Sequence, residues 1–301
     1  MHGIDAFDSN QVIGATLGSA TIINELARGS MGVVFVAFQQ SLKRRIAVKV
    51  LPKSMYTEES IRLFEQEAEA VAGLSHPGIV PIYEIGEAPQ FRWFTMQLIE
   101  GVSLAAMLRK IAGNPVPSRR ILPIRTALAI IRQTLEALSF AHRRQVVHRD
   151  IKPENILVIA ASSESYMPVI TDFGISRIVS VPADAMRTPR GSPLYMAPEQ
   201  ILDSDTDARA DVYAVGTLLF RVLVEALPLI DHASVDTLLA AKLSGRGIFS
   251  RTPSQANPRL HPEMDAVVAA ATAHDPQGRY GSCREFLTAL SGYERRHLGT
   301  H

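Results

Sequence analysis

The sequence predicts an α+β chain of two segregated lobes, a small strand-rich one followed by a larger, mainly helical one. Three observations carry that reading. Between Thr21 and Val50 stand three short runs rich in β-branched and aromatic residues, TIINELA, VVFVAF and RIAVKV, punctuated by glycines and the polar stretch 39–45. An amphipathic stretch at 57–74 and two further strand-like runs, around 79–85 and 91–99, complete the first part. From Val102 onward helical patterns dominate, broken by Pro/Gly/Ser-rich loops at 112–118, 160–168 and 180–198. Strands first and helices after imply segregated layers.

Each element has a local reason. The helix at 57–74 opens on Thr57, with Glu58 and Glu59 in the first turn, where the helix dipole favours acids. Its 3.6-residue period puts Phe64, Glu67, Ala68 and Val71 on one stripe and turns Glu65 and Glu69 away. His76–Pro77 reads as a tight link into the next strand. The apolar stretch 212–230 is interrupted by Arg221 and Glu225, which makes it a buried helix and too short between charges to cross a bilayer.

Composition narrows the function classes. The 301 residues are 47% hydrophobic and 20% charged, as in a soluble globular protein. Lys+Arg 31 against Asp+Glu 30 leaves a formal charge of +1, which points to no nucleic-acid or membrane-surface partner. The single cysteine, Cys283, excludes an internal disulfide and fits a reducing compartment; a small buried side chain is its expected role. No basic segment leads into an apolar core at the N-terminus. The expectation is a cytoplasmic chain, complete as it stands, with no membrane span, a loose leader at 1–20 and a tail at 293–301.

Chemistry-bearing residues cluster in a few places. In ARGSMGVV at 27–34, Gly29 and Gly32 would let the backbone approach a phosphate, though taken alone they read by default as a plain β-turn. In IAVK at 46–49, alternation puts Ala47 and Lys49 on one strand face and Val48 on the other. A lysine on an apolar, inward face is costly unless an anion meets it. Glu67, on the inner stripe of the following helix, is the acid placed to do so. HRDIKPENILV at 148–158 packs Asp150, Lys152 and Asn155 close together, with Pro153 discouraging a regular helix. DFG follows at 172–174, then GSPLYMAPE at 191–199 and DVYAVG at 211–216.

These motifs, in this order, resemble the eukaryotic-like (Hanks-type) protein kinases, most closely the bacterial Ser/Thr type, from about Thr21 to Leu290. The resemblance implies a bilobal protein-kinase fold over 21–292. It has a small β-rich N-lobe with one main helix (about 21–96), a hinge (97–101) and a larger helical C-lobe (102–292). It implies phosphorylation of serine and threonine hydroxyls on proteins, with ATP and Mg²⁺ as cofactors and Mn²⁺ as a substitute. Lys49 would hold the α/β-phosphates and pair with Glu67. Asp150 would accept the substrate hydroxyl proton and Lys152 would stabilise the moving phosphoryl group. Asn155 and Asp172 would bind the metal. Leu26, Ala27, Arg28, Gly29, Ser30, Met31 and Gly32 would form the loop over the phosphates. Val34, Ala47 and Leu157 would sandwich the adenine, with Met96 as gatekeeper and Gln97, Leu98 and Ile99 as the hinge that reads its edge.

The resemblance also assigns support and control. His148 would pack with Phe173 and Val71 in a regulatory stack, Asp211 would anchor the catalytic-loop backbone, and Glu199 would pair with Arg279. Arg149 would receive a phosphate on the activation loop (175–196), where Thr188, flanked by Arg187 and Arg190, is preferred over Ser180. Transient self-association would serve that autophosphorylation. Ser192 stands where threonine is usual and keeps the hydroxyl. Ala27 stands where the first loop glycine is usual, and 159–168 is longer than the usual turn. A pseudokinase would lack one of Lys49, Asp150, Asn155 or Asp172; none is lacking. A small-molecule phosphotransferase would lack the APE and GSPLY strips, and a dinucleotide-binding fold would need a βαβ unit after the glycines.

Overall fold

The computed structural model describes residues 7–29, 32–55, 57, 68–162, 165–173, 193–202, 206–230 and 234–299. The chain divides into two compact units, Met1–Glu100 with Phe173–Arg190, and Gly101–Asp172 with Gly191–His301.

The first unit is built on a six-stranded sheet in the order β1-β2-β3-β4-β6-β5. Its strands are β1 (Thr16–Leu17), β2 (Ala20–Gly29), β3 (Gly32–Gln39), β4 (Arg44–Pro52), β5 (Ile82–Glu87) and β6 (Phe91–Met96), and every pair is antiparallel. Residues directly opposite in such a ladder share a face. One face gathers Val33, Phe35, Ala37, Ile46, Val48, Val50, Phe91 and Trp93 into a single apolar cluster. Burying each of the larger of these side chains contributes about 1.5–3 kcal/mol. Register puts Ala27, Val34, Lys49 and Phe94 in one row on the other face, and Val36, Ala47 and Met96 in a neighbouring row. Residues 68–72 are helical, and Ala68 and Val71 are buried.

The leader expected at 1–20 is, from Phe7 onward, part of this unit. Val12 and Leu17 belong to the apolar cluster, and β1 extends the sheet beside β2. A 3-10 turn at Ser9–Gln11 is capped by the Asp8 side chain, which accepts from Asn10 N. Arg28 fastens the segment. It donates to the Phe7 carbonyl at 3.0 Å, to Ser9 Oγ at 2.7 Å and to the Glu25 carboxylate at 2.7 Å. Val12 and Leu17 stand in a mixed segment with no regular period, yet they join the core cluster.

The second unit has a small sheet of β7 (Val102–Ser103), β8 (Ile156–Ala160) and β9 (Tyr166–Ile170). The long 159–168 stretch extends the β8–β9 hairpin, with Ile159 opposite Met167 and Ala160 opposite Tyr166. Its helices are α1 (Leu104–Ala112), α2 (Ile124–His142), the short α3 (Pro198–Ile201), α4 (Arg209–Leu223), α5 (Val235–Leu243), the short α6 (Pro253–Ala256), α7 (Glu263–Ala271) and α8 (Cys283–His297). The buried side chains of α4 lie all round its axis, so it is the central helix of this unit. No described helix is long and apolar enough to cross a membrane.

The tail expected at 293–301 is also corrected. Cys283, Phe286, Leu290 and Tyr293 form one buried stripe of α8, and Tyr293 is 1% exposed. The apolar period continues past 292, so the helix does too. Cys283 is fully enclosed, and burial pushes its thiol well up.

Candidate active site

The loop at 146–155 is held from below by one carboxylate. Asp211 stands in the first turn of α4, fully buried. Its Oδ1 accepts the Arg149 backbone N–H at 2.8 Å, and its Oδ2 accepts that of His148 at 2.9 Å. His142, at the end of α2, brings Nε2 within 2.7 Å of the same Oδ2. Burial alone would raise this carboxyl, but the hydrogen bonds from the His142 side chain and the His148 backbone hold it below the usual carboxylate range. Three donors thus converge on one anion, and they fix where the loop leaves α2.

Arg149 itself has φ 65°, a left-handed conformation that costs a non-glycine residue about 1–2 kcal/mol. It is clamped on both sides. Asp211 takes its N–H, and Gln200 Nε2 donates to its carbonyl at 2.8 Å. Gln200 Oε1 in turn accepts the Ala197 N–H at 2.9 Å, so one amide ties the 193–199 strip to this loop.

Asp150 follows, its side chain 13% exposed. Lys152 Nζ donates to its Oδ2 at 2.6 Å, and Asn155 Nδ2 donates to the same oxygen at 2.9 Å and to the Asp150 carbonyl at 2.8 Å. Among the described residues no donor reaches Asp150 Oδ1 or Asn155 Oδ1. Pro153 starts a single 3-10 turn at Pro153–Asn155, which brings Asn155 back to the aspartate. Thr171 N then donates to the Asn155 carbonyl at 2.9 Å, and Asp172, with φ 60°, follows directly. Two oxygen-bearing side chains, Asn155 and Asp172, are therefore held beside one backbone link.

His148 has both ring nitrogens engaged. Nδ1 accepts the Asp150 N–H at 3.2 Å, so Nε2 carries the proton and donates to the Thr171 carbonyl at 2.8 Å. That geometry makes it a loop spacer and leaves no nitrogen for a base. Glu199 and Arg279 form a two-pronged pair at 2.7 and 2.8 Å, and Arg279 also donates to the carbonyls of Ala273, His274 and Arg209.

In the first unit Lys49 is 5% exposed on the face that carries Ala47, Val34 and Met96. Gly29 and Gly32 close the β2–β3 hairpin opposite one another. Leu26, Ala27, Arg28 and Gly29 are exposed. At the hinge, the Gln97 N–H is used by the Pro81 carbonyl at 3.1 Å. Ser30, Met31, Glu58, Glu59, Phe64, Glu67, Ser180, Arg187, Thr188, Arg190 and Ser192 lie outside the described residues.

Sequence reasoning passed over His142, Gln200 and Lys242. Each acts on groups far away in sequence, and no local period marks them. A cluster of His261, Glu263 and His297 is also near enough to consider for a metal. Its two imidazoles stack face to face at 3.7 Å and 15°, so their in-plane lone pairs run parallel, and Arg296 already engages the glutamate.

A strand-rich unit with an inward lysine and a helical unit with an aspartate–lysine–asparagine loop define the protein kinase class. Residues 20–289 match the model of the protein kinase domain, and the chain belongs to that family. It is 35% identical over 282 residues to the serine/threonine-protein kinase PknF of Mycobacterium tuberculosis, covering 92% of this chain and 56% of that protein. It is 32% identical over 283 residues to Pkn1 of Myxococcus xanthus, covering 93% of this chain and 39% of that protein. The chain thus spans about half the length, or less, of the curated relatives it matches. The crystal structure of the M. tuberculosis PknI kinase domain superposes with a TM-score of 0.73 at 28% identity, covering 93% of this chain and 98% of that one.

Proposed function

We propose that this chain transfers the γ-phosphoryl group of ATP to serine and threonine hydroxyls of protein substrates. The observation that carries the reading is the Asp150 carboxylate, whose Oδ2 is taken by Lys152 and Asn155 while no donor among the described residues reaches Oδ1. Oδ1 is then the oxygen that receives the hydroxyl proton. As the substrate oxygen bonds to the γ-phosphorus, the bond to the bridging oxygen breaks and ADP leaves. Lys152 donates to Asp150 Oδ2 and fixes the carboxylate's orientation, and its positive charge faces the negative charge that builds on the phosphoryl oxygens.

Asn155 Oδ1 and the Asp172 carboxylate are the groups we assign to Mg²⁺, with Mn²⁺ as substitute. Both are hard oxygen donors, as that ion prefers, and Asn155 Oδ1 has no protein donor among the described residues. The metal, when bound, supplies positive charge at the phosphate oxygens. Lys49 is assigned to the α/β-phosphates and Glu67 to Lys49. Val34, Ala47 and Leu157 are assigned to the faces of the adenine. With its N–H already used, Gln97 offers the adenine edge only its carbonyl, and Leu98 and Ile99 follow with their own backbone groups.

We further assign Thr188 as the autophosphorylated residue and Arg149 as its receiver, with transient self-association bringing two copies together. A phosphate brings about −2 charge and three acceptors, enough to engage a guanidinium. The names of the relatives PknF and Pkn1 support the Ser/Thr assignment. Labelled ATP with Mg²⁺ tests the whole reading, comparing the wild type with Asp150→Asn. Transfer to serine or threonine by the wild type alone is expected; equal transfer by both proteins would overturn it.

A further inference from the structure

Helix α5 inverts the usual pattern of burial. Its sequence is VDTLLAAKL, yet the one residue buried on it is Lys242, at 2% exposure, while Val235 and Leu243 are 45% and 39% exposed. Lysine is among the residues least often buried, because its ammonium loses its hydration. Here Nζ has specific replacements for water. It donates to the Leu194 carbonyl at 2.8 Å and to the Met196 carbonyl, and it stands 4.7 Å over the Tyr213 ring of α4. Burial, and then the neighbouring Arg279 guanidinium, push this amine down to about 7, against a smaller opposing pull from Glu199. The chain therefore buries an amine at a cost, and what it obtains is a fixed path for residues 194–196.

Those residues are the middle of the strip GSPLYMAPE. The strip is gripped from both ends. Gln200 takes the Ala197 N–H and reaches on to the Arg149 carbonyl beside Asp150, while Lys242 takes the two carbonyls that flank Tyr195. Tyr195 is itself buried, so the strip is a fitted segment with its backbone directions set.

We propose that Lys242 is a positioning residue for the protein acceptor, holding the 194–196 backbone in the shape that docks the substrate segment around its serine or threonine. The proposal rests on the kinase reading above. It separates Lys242 from the Glu199–Arg279 pair, in which Arg279 donates to the carbonyls of Ala273, Arg209 and His274. The Lys242 ammonium donates to the 194 and 196 carbonyls while Asp150 is met by Lys152 and Asn155, so the effect we assign to Lys242 is on the acceptor and not on ATP.

The test is steady-state transfer from ATP to myelin basic protein by the wild type, Lys242→Met and Lys242→Arg, with ATP hydrolysis in the absence of acceptor measured alongside. Loss of a charged donor to two carbonyls should raise the acceptor KM by about tenfold or more in Lys242→Met. The KM for ATP and the acceptor-free hydrolysis rate should stay within about twofold of the wild type. Lys242→Arg, which keeps charge and donors, should restore most of the acceptor KM. If Lys242→Met does not unfold cooperatively, Lys242→Gln, with one donor group left, is read in the same way. An unchanged acceptor KM in a folded variant overturns the proposal, and so does an ATP KM that rises in step. A wild type that transfers no phosphate to serine or threonine overturns the kinase reading instead.

Discussion

Gly29 and Gly32 face one another across the hairpin for different reasons. A Cβ on Gly32 would lie 2.5 Å from the Val50 carbonyl oxygen, so β4 itself demands glycine there. A Cβ on Gly29 would meet nothing nearer than the Gly32 carbonyl at 3.9 Å. Among the described residues no atom demands glycine at 29, so the proposed approach of a phosphate there predicts a different outcome at each glycine. Gly32→Ala should therefore cost about 1–3 kcal/mol in urea unfolding. Gly29→Ala should leave stability within about 0.5 kcal/mol and raise the KM for ATP. A Gly29→Ala enzyme with unaltered ATP KM would remove that glycine from the nucleotide site. Asp211 makes a second prediction at this scale. Asp211→Asn leaves two backbone donors and His142 without their anion, and should cost about 3 kcal/mol. Because the folded carboxyl lies below its ordinary 3.8, its contribution is present above that pH and is lost as pH falls toward the lowered folded value. Acid unfolding curves should accordingly fall more steeply below about pH 4 for the wild type than for Asp211→Asn.

Among the elements, the segment from Phe7 to Leu17 offers the clearest test. If it were a loose leader, truncating its side chains would change nothing. As part of the apolar cluster, Leu17 at 6% exposure should cost about 2–4 kcal/mol when replaced by alanine. Urea denaturation decides it, and an effect under about 0.5 kcal/mol would mean that this cover contributes nothing. The same comparison shows what was legible beforehand. β2, β3 and β4 could be read because each is rich in branched or aromatic residues and is set off by glycines or a polar stretch, even though β2 carries register shifts at Ile22/Asn24 and Glu25/Ala27. The 148–158 loop could be read because so many functional groups stand so close together. The β1 segment could not, since Val12 and Leu17 share their segment with an exposed Ile13 and with Gly, Ser, Asp and Asn in no regular period. Nor could the end of α8, although Phe286, Leu290 and Tyr293 keep its period, because the polar residues of the last turns masked it. Lys242 and Gln200 were hidden for another reason. Their partners are backbone groups elsewhere in the chain, and a backbone group has no signature in the sequence.

For the molecule as a whole, the proposed reaction draws on both compact units, since Lys49 belongs to the first and Asp172 to the second. Neither side chain belongs to the two apolar clusters of the described residues. Lys49→Met and Asp172→Ala should each lower phosphoryl transfer by about a thousandfold or more, the scale of a missing electrostatic group at a transition state. Groups that serve one transition state do not contribute independently, because once one is gone the other has less developing charge to stabilise. The Lys49→Met/Asp172→Ala double variant should therefore be little slower than the worse single variant, and far from the product of the two losses. Single-turnover transfer with labelled ATP measures all three, and circular dichroism with urea unfolding checks that each remains folded. A double variant whose loss equals the product of the single losses would mean that the two residues act on separate steps. Near wild-type turnover in either folded single variant would strike that residue from the reaction.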